Sequence, residues 1–147
     1  MGCRNRYPME PYKKINAKDI YYSRRPVRGK IVAILDLYLK GRDLSLIIPQ
    51  SRALKRGEIH EIIFTHEHKY PGDKVDTVYY VGFFEIEEGG VVITGDTLSI
   101  GGIKRAKLIG FNETHMPNHQ NIIFYTETPM TGKMLGIGVG DSVEFIL

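Results

Sequence analysis

Every histidine of the chain lies in one of two short segments, and this distribution is the strongest indication of chemistry in the sequence. The five histidines are His60, His66, His68, His115 and His119. Two or three neutral imidazoles with one carboxylate suit Zn, Fe, Mn or Ni and leave a coordination position open for substrate or water. We therefore predict that at least three of the five bind a divalent transition metal at one mouth of the folded domain.

The spacing within each segment is compatible with a shared site. If the first segment is extended, side chains two residues apart point to the same side, so His66 and His68 can face one ion. His115 and His119 are four residues apart, as on one face of a helix. However, Pro117 disfavours helical geometry in the residue before it, so we expect a loop or tight turn there.

Polar side chains near the second histidine pair extend this candidate site. Glu113 and Asp96 are the candidate carboxylates. Glu113 and His115 are the predicted catalytic residues, because a metal-bound water would be acidified into a nucleophile or base near neutral pH. The predicted ligand-binding residues are Thr114, Asn118 and Asn121. A purely structural role, in which these side chains only make local hydrogen bonds and cap loops, is the alternative that the sequence leaves open.

Short strands separated by glycine-containing turns surround these segments. The predicted strands are 30–37, 44–48, 58–65, 77–86, 91–94, 97–100, 103–111, 121–125 and 142–146. Short helices are expected at 50–56 and 131–135, and hairpins are expected to join the first two strands and the strands that flank Gly89-Gly90. This pattern predicts a mainly β fold, a single small closed or nearly closed β-barrel with one or two short helices.

The length of 147 residues fits one domain that buries its core without disulfides. The single cysteine, Cys3, has no internal partner, which fits a reducing cytoplasm. No apolar run approaches the roughly 20 residues of a membrane helix, so we expect a cytoplasmic protein without membrane contact. We place an extended basic arm at residues 1–27 and the barrel domain at residues 28–147.

The net charge of +3 is unevenly distributed, because residues 1–30 carry nine Lys or Arg and two acidic residues. Tyrosines interleaved in this arm could help it contact the phosphate backbone of a nucleic acid. We favour an arm that packs on its own barrel or on a neighbouring subunit, since charge excess alone is weak evidence for nucleic-acid binding. The predicted partners are therefore a second copy of the chain and a small-molecule ligand.

Segments at both ends of the predicted barrel form a second pattern. They are Gly-Lys-Ile-Val-Ala at 29–33, Gly-Arg-Asp-Leu-Ser-Leu at 41–46, Thr114-His115, the strand at 121–125 followed by Pro129, and Leu-Gly-Ile-Gly-Val-Gly-Asp-Ser-Val at 135–143. This combination resembles the opening strand, hairpin and closing segment of the archaeal CTP-dependent riboflavin kinases. The resemblance implies a β-barrel of the cradle-loop type, with CTP-dependent phosphoryl transfer as an alternative function.

Two segments depart from the kinase pattern. The family's glycine-rich nucleotide loop corresponds to residues 36–41, which hold a single glycine, and its Gly-Thr-Leu-Asn magnesium segment corresponds to Gly57-Glu58-Ile59-His60. Magnesium prefers oxygen ligands, so an imidazole there favours a softer metal and argues against a nucleotide cofactor. We therefore predict a metal-dependent enzyme or binding protein for a small polar molecule. The alternatives are a kinase-like phosphotransferase and a non-catalytic module that binds a ligand or nucleic acid.

Overall fold

The structure is a computed structural model that describes residues 21–147. Most of the predicted basic arm, residues 1–27, lies outside the described residues. Within the described part the fold is mainly β, which confirms the predicted fold class at that level. The same part contains no helix long and apolar enough to cross a membrane.

Eleven strands and one short helix make up the described chain. The strands are β1 (Val27–Leu39), β2 (Leu44–Ser45), β3 (Ser51–Leu54), β4 (Ile59–Thr65), β5 (Lys74–Val75), β6 (Val78–Glu88), β7 (Gly90–Ile93), β8 (Thr97–Ile100), β9 (Ile103–Asn112), β10 (Asn121–Tyr125) and β11 (Ser142–Ile146). The helix, α1, spans Gly132–Leu135. The strands predicted at 97–100, 121–125 and 142–146 agree with the observed bounds.

Seven strands form one sheet whose two ends pair with each other. The order around this ring is β1, β11, β8, β9, β10, β4 and β6, and β6 pairs again with β1. The pair β4–β10 is parallel, with Asn121 opposite Glu61 and Tyr125 opposite Thr65. Parallel neighbours start at the same end of a sheet, so residues that precede β4 meet residues that precede β10.

Strand β4 is buried on both faces. Side chains alternate along a strand, so Ile62 and Phe64 join the main core cluster. Ile63 points the other way and packs with Leu44 of β2 and Val75 of β5. Because both faces of β4 are covered, its sequence is a nearly continuous apolar run rather than an alternating one.

Three local predictions are wrong, in each case because a strand elsewhere in the chain supplies the hydrogen bonds. The segment expected to be helical at 50–56 contains β3, which pairs with β7 from Ser51 opposite Ile93 to Leu54 opposite Gly90. Strand β7 therefore does not form the expected hairpin with β6, and β2 pairs with β5 rather than with β1. Leu54 is buried in this arrangement, which favours the sheet over a solvated helical turn.

The helix predicted near Thr131 is confirmed. The Thr131 hydroxyl accepts a hydrogen bond from the backbone N–H of Met134 (3.2 Å) and donates one to Asp36 Oδ1 (2.8 Å), so it caps α1 and ties it to β1. A Cβ at Gly132 would overlap the backbone carbonyl oxygen of Val81. Glycine at this position therefore lets the helix pack directly on β6.

Candidate functional site

A cavity of about 540 Å³ opens where β4 and β10 begin. Its lining residues are Arg52, Ala53, Gly57, Glu58, Ile59, His60, Phe83, Met116, Pro117, Asn118 and His119. We call it the His60–His119 cavity. It brings His60, at the start of β4, close to the loop that joins β9 to β10, because the two strands are parallel neighbours.

His60 uses both ring nitrogens within the protein. Its Nδ1 accepts a hydrogen bond from the backbone N–H of Gln120 (3.0 Å), so the neutral ring carries its proton on Nε2, which donates to Glu58 Oε1 (3.0 Å). Burial lowers the pKa of His60 and keeps the ring neutral, although the Glu58 carboxylate opposes this effect. Neutral His60 therefore has no lone pair left for a metal. Its hydrogen bond to Gln120 links the loop between β9 and β10 to the start of β4.

A buried carboxyl group lies behind the cavity. Glu61 is 5% exposed, and its Oε1 lies 3.2 Å from Nε2 of His119. Burial raises the pKa of Glu61 from 4.5 to about 7, even though electrostatic interactions with His115 and Arg42 oppose the shift. Burial also lowers the pKa of His119 below its usual 6.5. Near neutral pH the site therefore pairs a neutral histidine with a carboxyl group whose pKa lies in the same range.

This pair has the properties that proton transfer requires. A general acid or base works best when its pKa lies near the working pH, and Glu61 meets that condition through burial. His119 lines the cavity, so it can exchange a proton with a bound molecule while Glu61 stabilises the charge that forms on the ring. The Glu61–His119 pair is the main chemical feature of the cavity.

Two aromatic neighbours position the His119 ring. The ring of Phe83 meets it edge to face, with centroids 5.1 Å apart and an interplanar angle of 82°. The exposed ring of His115 lies at the same centroid distance of 5.1 Å and is tilted by 30°. These contacts, together with the hydrogen bond to Glu61, restrict rotation of the imidazole.

Buried side-chain amides form hydrogen bonds that hold the loop between β9 and β10 in place. Asn112 donates from Nδ2 to the carbonyl oxygen of Ser45 (2.8 Å), and its Oδ1 accepts from Asn121 Nδ2 (3.0 Å). Gln120 donates from Nε2 to the carbonyl oxygen of Asn112 (2.9 Å). Asn121 is 2% exposed and therefore belongs to this structural network rather than to the cavity wall.

The other predicted residues of the second segment have separate positions. Asn118 lines the cavity, as expected of a ligand-binding residue. Thr114 is exposed, and its backbone N–H donates to Asn112 Oδ1 (3.2 Å). Glu113 is also exposed, and its Oε2 lies 2.6 Å from Arg52 Nη1, so this carboxylate pairs with a lining cation. The geometry thus places Glu113 at the rim, whereas Glu61 has the buried position expected of a proton-transferring carboxyl.

Asp96 belongs to a different structural unit. Its carboxylate accepts a bidentate pair of hydrogen bonds from Arg24, at 2.7 and 3.0 Å, and one from the backbone N–H of Ile93 at 2.9 Å. This buried ion pair fixes the start of the described chain to the β7–β8 turn. Its role as a candidate metal carboxylate is therefore corrected to a structural one.

The structure separates the histidines into two groups, so the expectation that all five meet at one mouth is wrong. His66 and His68 follow the far end of β4, where the ring of His68 packs on Tyr125 with centroids 4.3 Å apart. Strand β4 lies between them and His60 and spans roughly 20 Å at about 3.3 Å per residue. Among residues 21–147, no three His, Cys, Asp or Glu side chains are grouped so that they could hold a metal ion.

Sequence reasoning missed Glu61 and Phe83. Glu61 lies in Ile59–Thr65, where the other residues from position 60 onward are also buried. A single carboxylate inside a run otherwise typical of a buried strand was the available signal, because such a group is costly unless it is paired or protonated. Phe83 offered no comparable signal, since strand β6 contains several aromatic residues.

Comparisons with curated proteins and with solved structures found no match to this chain. One family model matches residues 21–146, which is nearly all of the described part of the chain. That family, DUF6917, is described as a family of unknown function. The chain therefore belongs to the DUF6917 family.

Proposed function

We propose that the protein acts on a small polar molecule by general acid–base catalysis in the His60–His119 cavity. The observation that carries this proposal is the buried Glu61 carboxyl, with a pKa of about 7, hydrogen-bonded to a histidine that lines the cavity. Perturbed pKa values of this kind cluster at functional sites, and a carboxyl that titrates near neutral pH can serve as a general acid or base.

The cavity is suited to a small molecule in size and lining. Its volume of about 540 Å³ is within the range of roughly 300–1,000 Å³ that is typical of small-molecule sites. Phe83 and Met116 provide apolar surface, while Arg52 and Asn118 provide polar groups that can orient a ligand. A ligand of mixed character, with a polar group near His119, fits this lining.

The proposed chemistry is a proton transfer with a simple balance. In the form with Glu61 ionised, His119 removes a proton from an acidic C–H, N–H or O–H group of the substrate, and the Glu61 carboxylate stabilises the imidazolium through its hydrogen bond. The same pair then returns a proton to another atom of the substrate, so the protein is regenerated and no other reactant is needed. Isomerisation of a small carbonyl compound is the reaction class with this balance.

A ligand screen followed by a conversion assay tests the proposal. Small polar carbonyl compounds would be screened by ligand-observed NMR, and the compounds that bind would be followed for product formation. We expect Glu61→Gln and His119→Ala to lower the conversion rate by about 100-fold or more. His66→Ala is the matched control, because this exposed histidine lies at the other end of β4. Conversion at an unchanged rate in Glu61→Gln would refute the assignment.

A divalent transition metal at His115 and His119 is the second candidate. The observation in its favour is the 5.1 Å separation of the two ring centroids, which would let both imidazoles approach one Zn, Fe, Mn or Ni ion. The site would need oxygen ligands from water or substrate to complete its coordination. Elemental analysis of protein purified without a histidine tag tests it, and a stoichiometric metal lost in His115→Ala would support it.

The kinase-like alternative has less support. Glu58 and His60 occupy the positions at which the riboflavin kinases are expected to hold magnesium, but here the two side chains bond to each other at 3.0 Å. Glu58 Oε1 also accepts a hydrogen bond from the backbone N–H of Lys55 (2.9 Å). We infer that a likeness to these kinases extends at most to a cradle-loop type of barrel. Phosphorylated riboflavin formed from CTP and riboflavin would reverse this inference.

A further inference from the structure

A second cavity, also of about 540 Å³, lies at the opposite end of the β4–β10 pair. Its walls include His68, Lys69, Tyr70, Lys107, Leu108 and Tyr125, and we call it the Lys69–Lys107 cavity. We propose that this cavity binds a planar aromatic anion, at a site separate from the proposed acid–base chemistry. The ligand would carry a carboxylate or phosphate group on a ring system.

The charge of the lining favours an anion. Lys69 and Lys107 both line the cavity, and the lining that residues 21–147 contribute contains no Asp or Glu. Within residues 21–147 the ammonium groups of these two lysines form no hydrogen bond or ion pair. The positive potential of a concave surface that carries both lysines would attract an anionic group.

The shape and composition of the lining favour an aromatic ring. The ring of His68 packs on the ring of Tyr125 at a centroid distance of 4.3 Å and a tilt of 33°, so a stacked pair of rings forms part of the lining. Tyr70 is 71% exposed, so its ring is available to a ligand, and Leu108 adds a buried apolar surface. Ring faces of this kind stack well on planar ligands.

Hydrogen bonds hold both walls in place without a ligand. In the loop after β4, the backbone N–H of Tyr70 donates to Asp73 Oδ2 (2.9 Å), and the backbone N–H of Asp73 donates to the carbonyl oxygen of Tyr70 (2.9 Å). On the other side, the N–H of Gly95 donates to the carbonyl oxygen of Leu108 (2.8 Å). Preformed walls lower the entropy that a ligand loses on binding.

The test is an amide NMR titration of the full chain with simple probes. The probes are 2-naphthoate and 2-naphthyl phosphate as aromatic anions, 2-naphthol as the neutral ring, and inorganic phosphate as the anion without a ring. We expect saturable shifts at Tyr70, Gly95 and Leu108 with both aromatic anions, and weaker binding of naphthol and phosphate. The tighter of the two anions identifies the head group.

Variants separate charge from ring contacts. Lys69→Gln and Lys107→Gln should each weaken binding of the preferred anion by about fivefold and leave naphthol unchanged. Lys104→Gln removes an exposed charge from the same strand as Lys107 and should have no effect. Tyr125→Leu should weaken binding of all three ring-containing probes. The proposal would be overturned if the lysine variants bound the preferred anion as tightly as the parent does. It would also be overturned if naphthol bound as tightly as naphthoate, or if the shifts were confined to the His60–His119 cavity.

Discussion

Replacing Glu61 by glutamine should change how folding stability depends on pH. Burial raises the pKa of this carboxyl from 4.5 to about 7, so between these values the folded protein holds a proton that the unfolded chain has released. The folded state then binds more protons than the unfolded state, and stability falls as pH rises through this window. Below pH 4.5 the group is neutral in both states and contributes no difference.

The size of the effect follows from the two pKa values. They differ by about 2.5, and each pKa unit corresponds to about 1.4 kcal/mol, so ionisation of Glu61 should cost the fold about 3 kcal/mol by pH 8. Glutamine has nearly the same shape as the protonated carboxyl and cannot ionise. Glu61→Gln should therefore gain about 3 kcal/mol of stability relative to the parent between pH 4.5 and pH 8.

Urea denaturation at several pH values measures this difference directly. The histidines with lowered pKa act in the opposite direction below pH 6.5, and both are present in the two proteins. Because His119 contacts Glu61, the comparison measures the titration of the Glu61–His119 pair. Glu127→Gln, which removes an exposed carboxylate, controls for the loss of one negative charge. If the difference between parent and Glu61→Gln stays constant across the pH range, the buried carboxyl does not have the raised pKa that we assign.

Three further predictions concern the loop, the helix and the arm. His60→Ala should lower the free energy of unfolding, measured in urea, by about 1–3 kcal/mol, because the buried N–H of Gln120 loses its acceptor. A decrease below about 0.5 kcal/mol would contradict that role. Gly132→Ala should destabilise the protein by about 1–3 kcal/mol, since a Cβ would overlap the Val81 carbonyl oxygen. An unchanged thermal unfolding midpoint would contradict this and show that α1 can shift to make room. Light scattering should find an oligomer for the full chain and a smaller species after deletion of residues 1–27, whereas two monomers would refute self-association through the arm.

Strand positions were predictable where local pattern and final pairing agree. The bounds of β8, β10 and β11 were correct because each is a short segment with a strand pattern, alternating in β8 and β11 and continuously apolar in β10, next to a turn or loop. Strand β3 was missed because Ser-Arg-Ala-Leu has no strand pattern of its own, and its partner β7 lies about 40 residues away. Pairing between distant segments is a property of the whole fold.

The site was predictable only in part, for the same reason. Clustering of histidines in the sequence pointed to the segment around His119, and the parallel pairing of β4 and β10 brings His60 to it. That same pairing places His68 at the other end of the strands, which spacing along the chain cannot reveal. Glu61 was missed because its importance comes from burial, and burial of a single strand residue depends on what covers it.

The most direct test of the central claim is the pKa of the Glu61 carboxyl itself. It can be measured by following the side-chain carboxyl carbon of 13C-labelled glutamate by NMR from pH 3 to pH 9, with Glu61→Gln to assign the signal. We predict a midpoint near 7 for Glu61, and a midpoint below 6.5 for His119 in a parallel titration of 13C-labelled histidine. A Glu61 midpoint between about 4 and 5, the usual range for glutamate, would contradict the proposed acid–base pair.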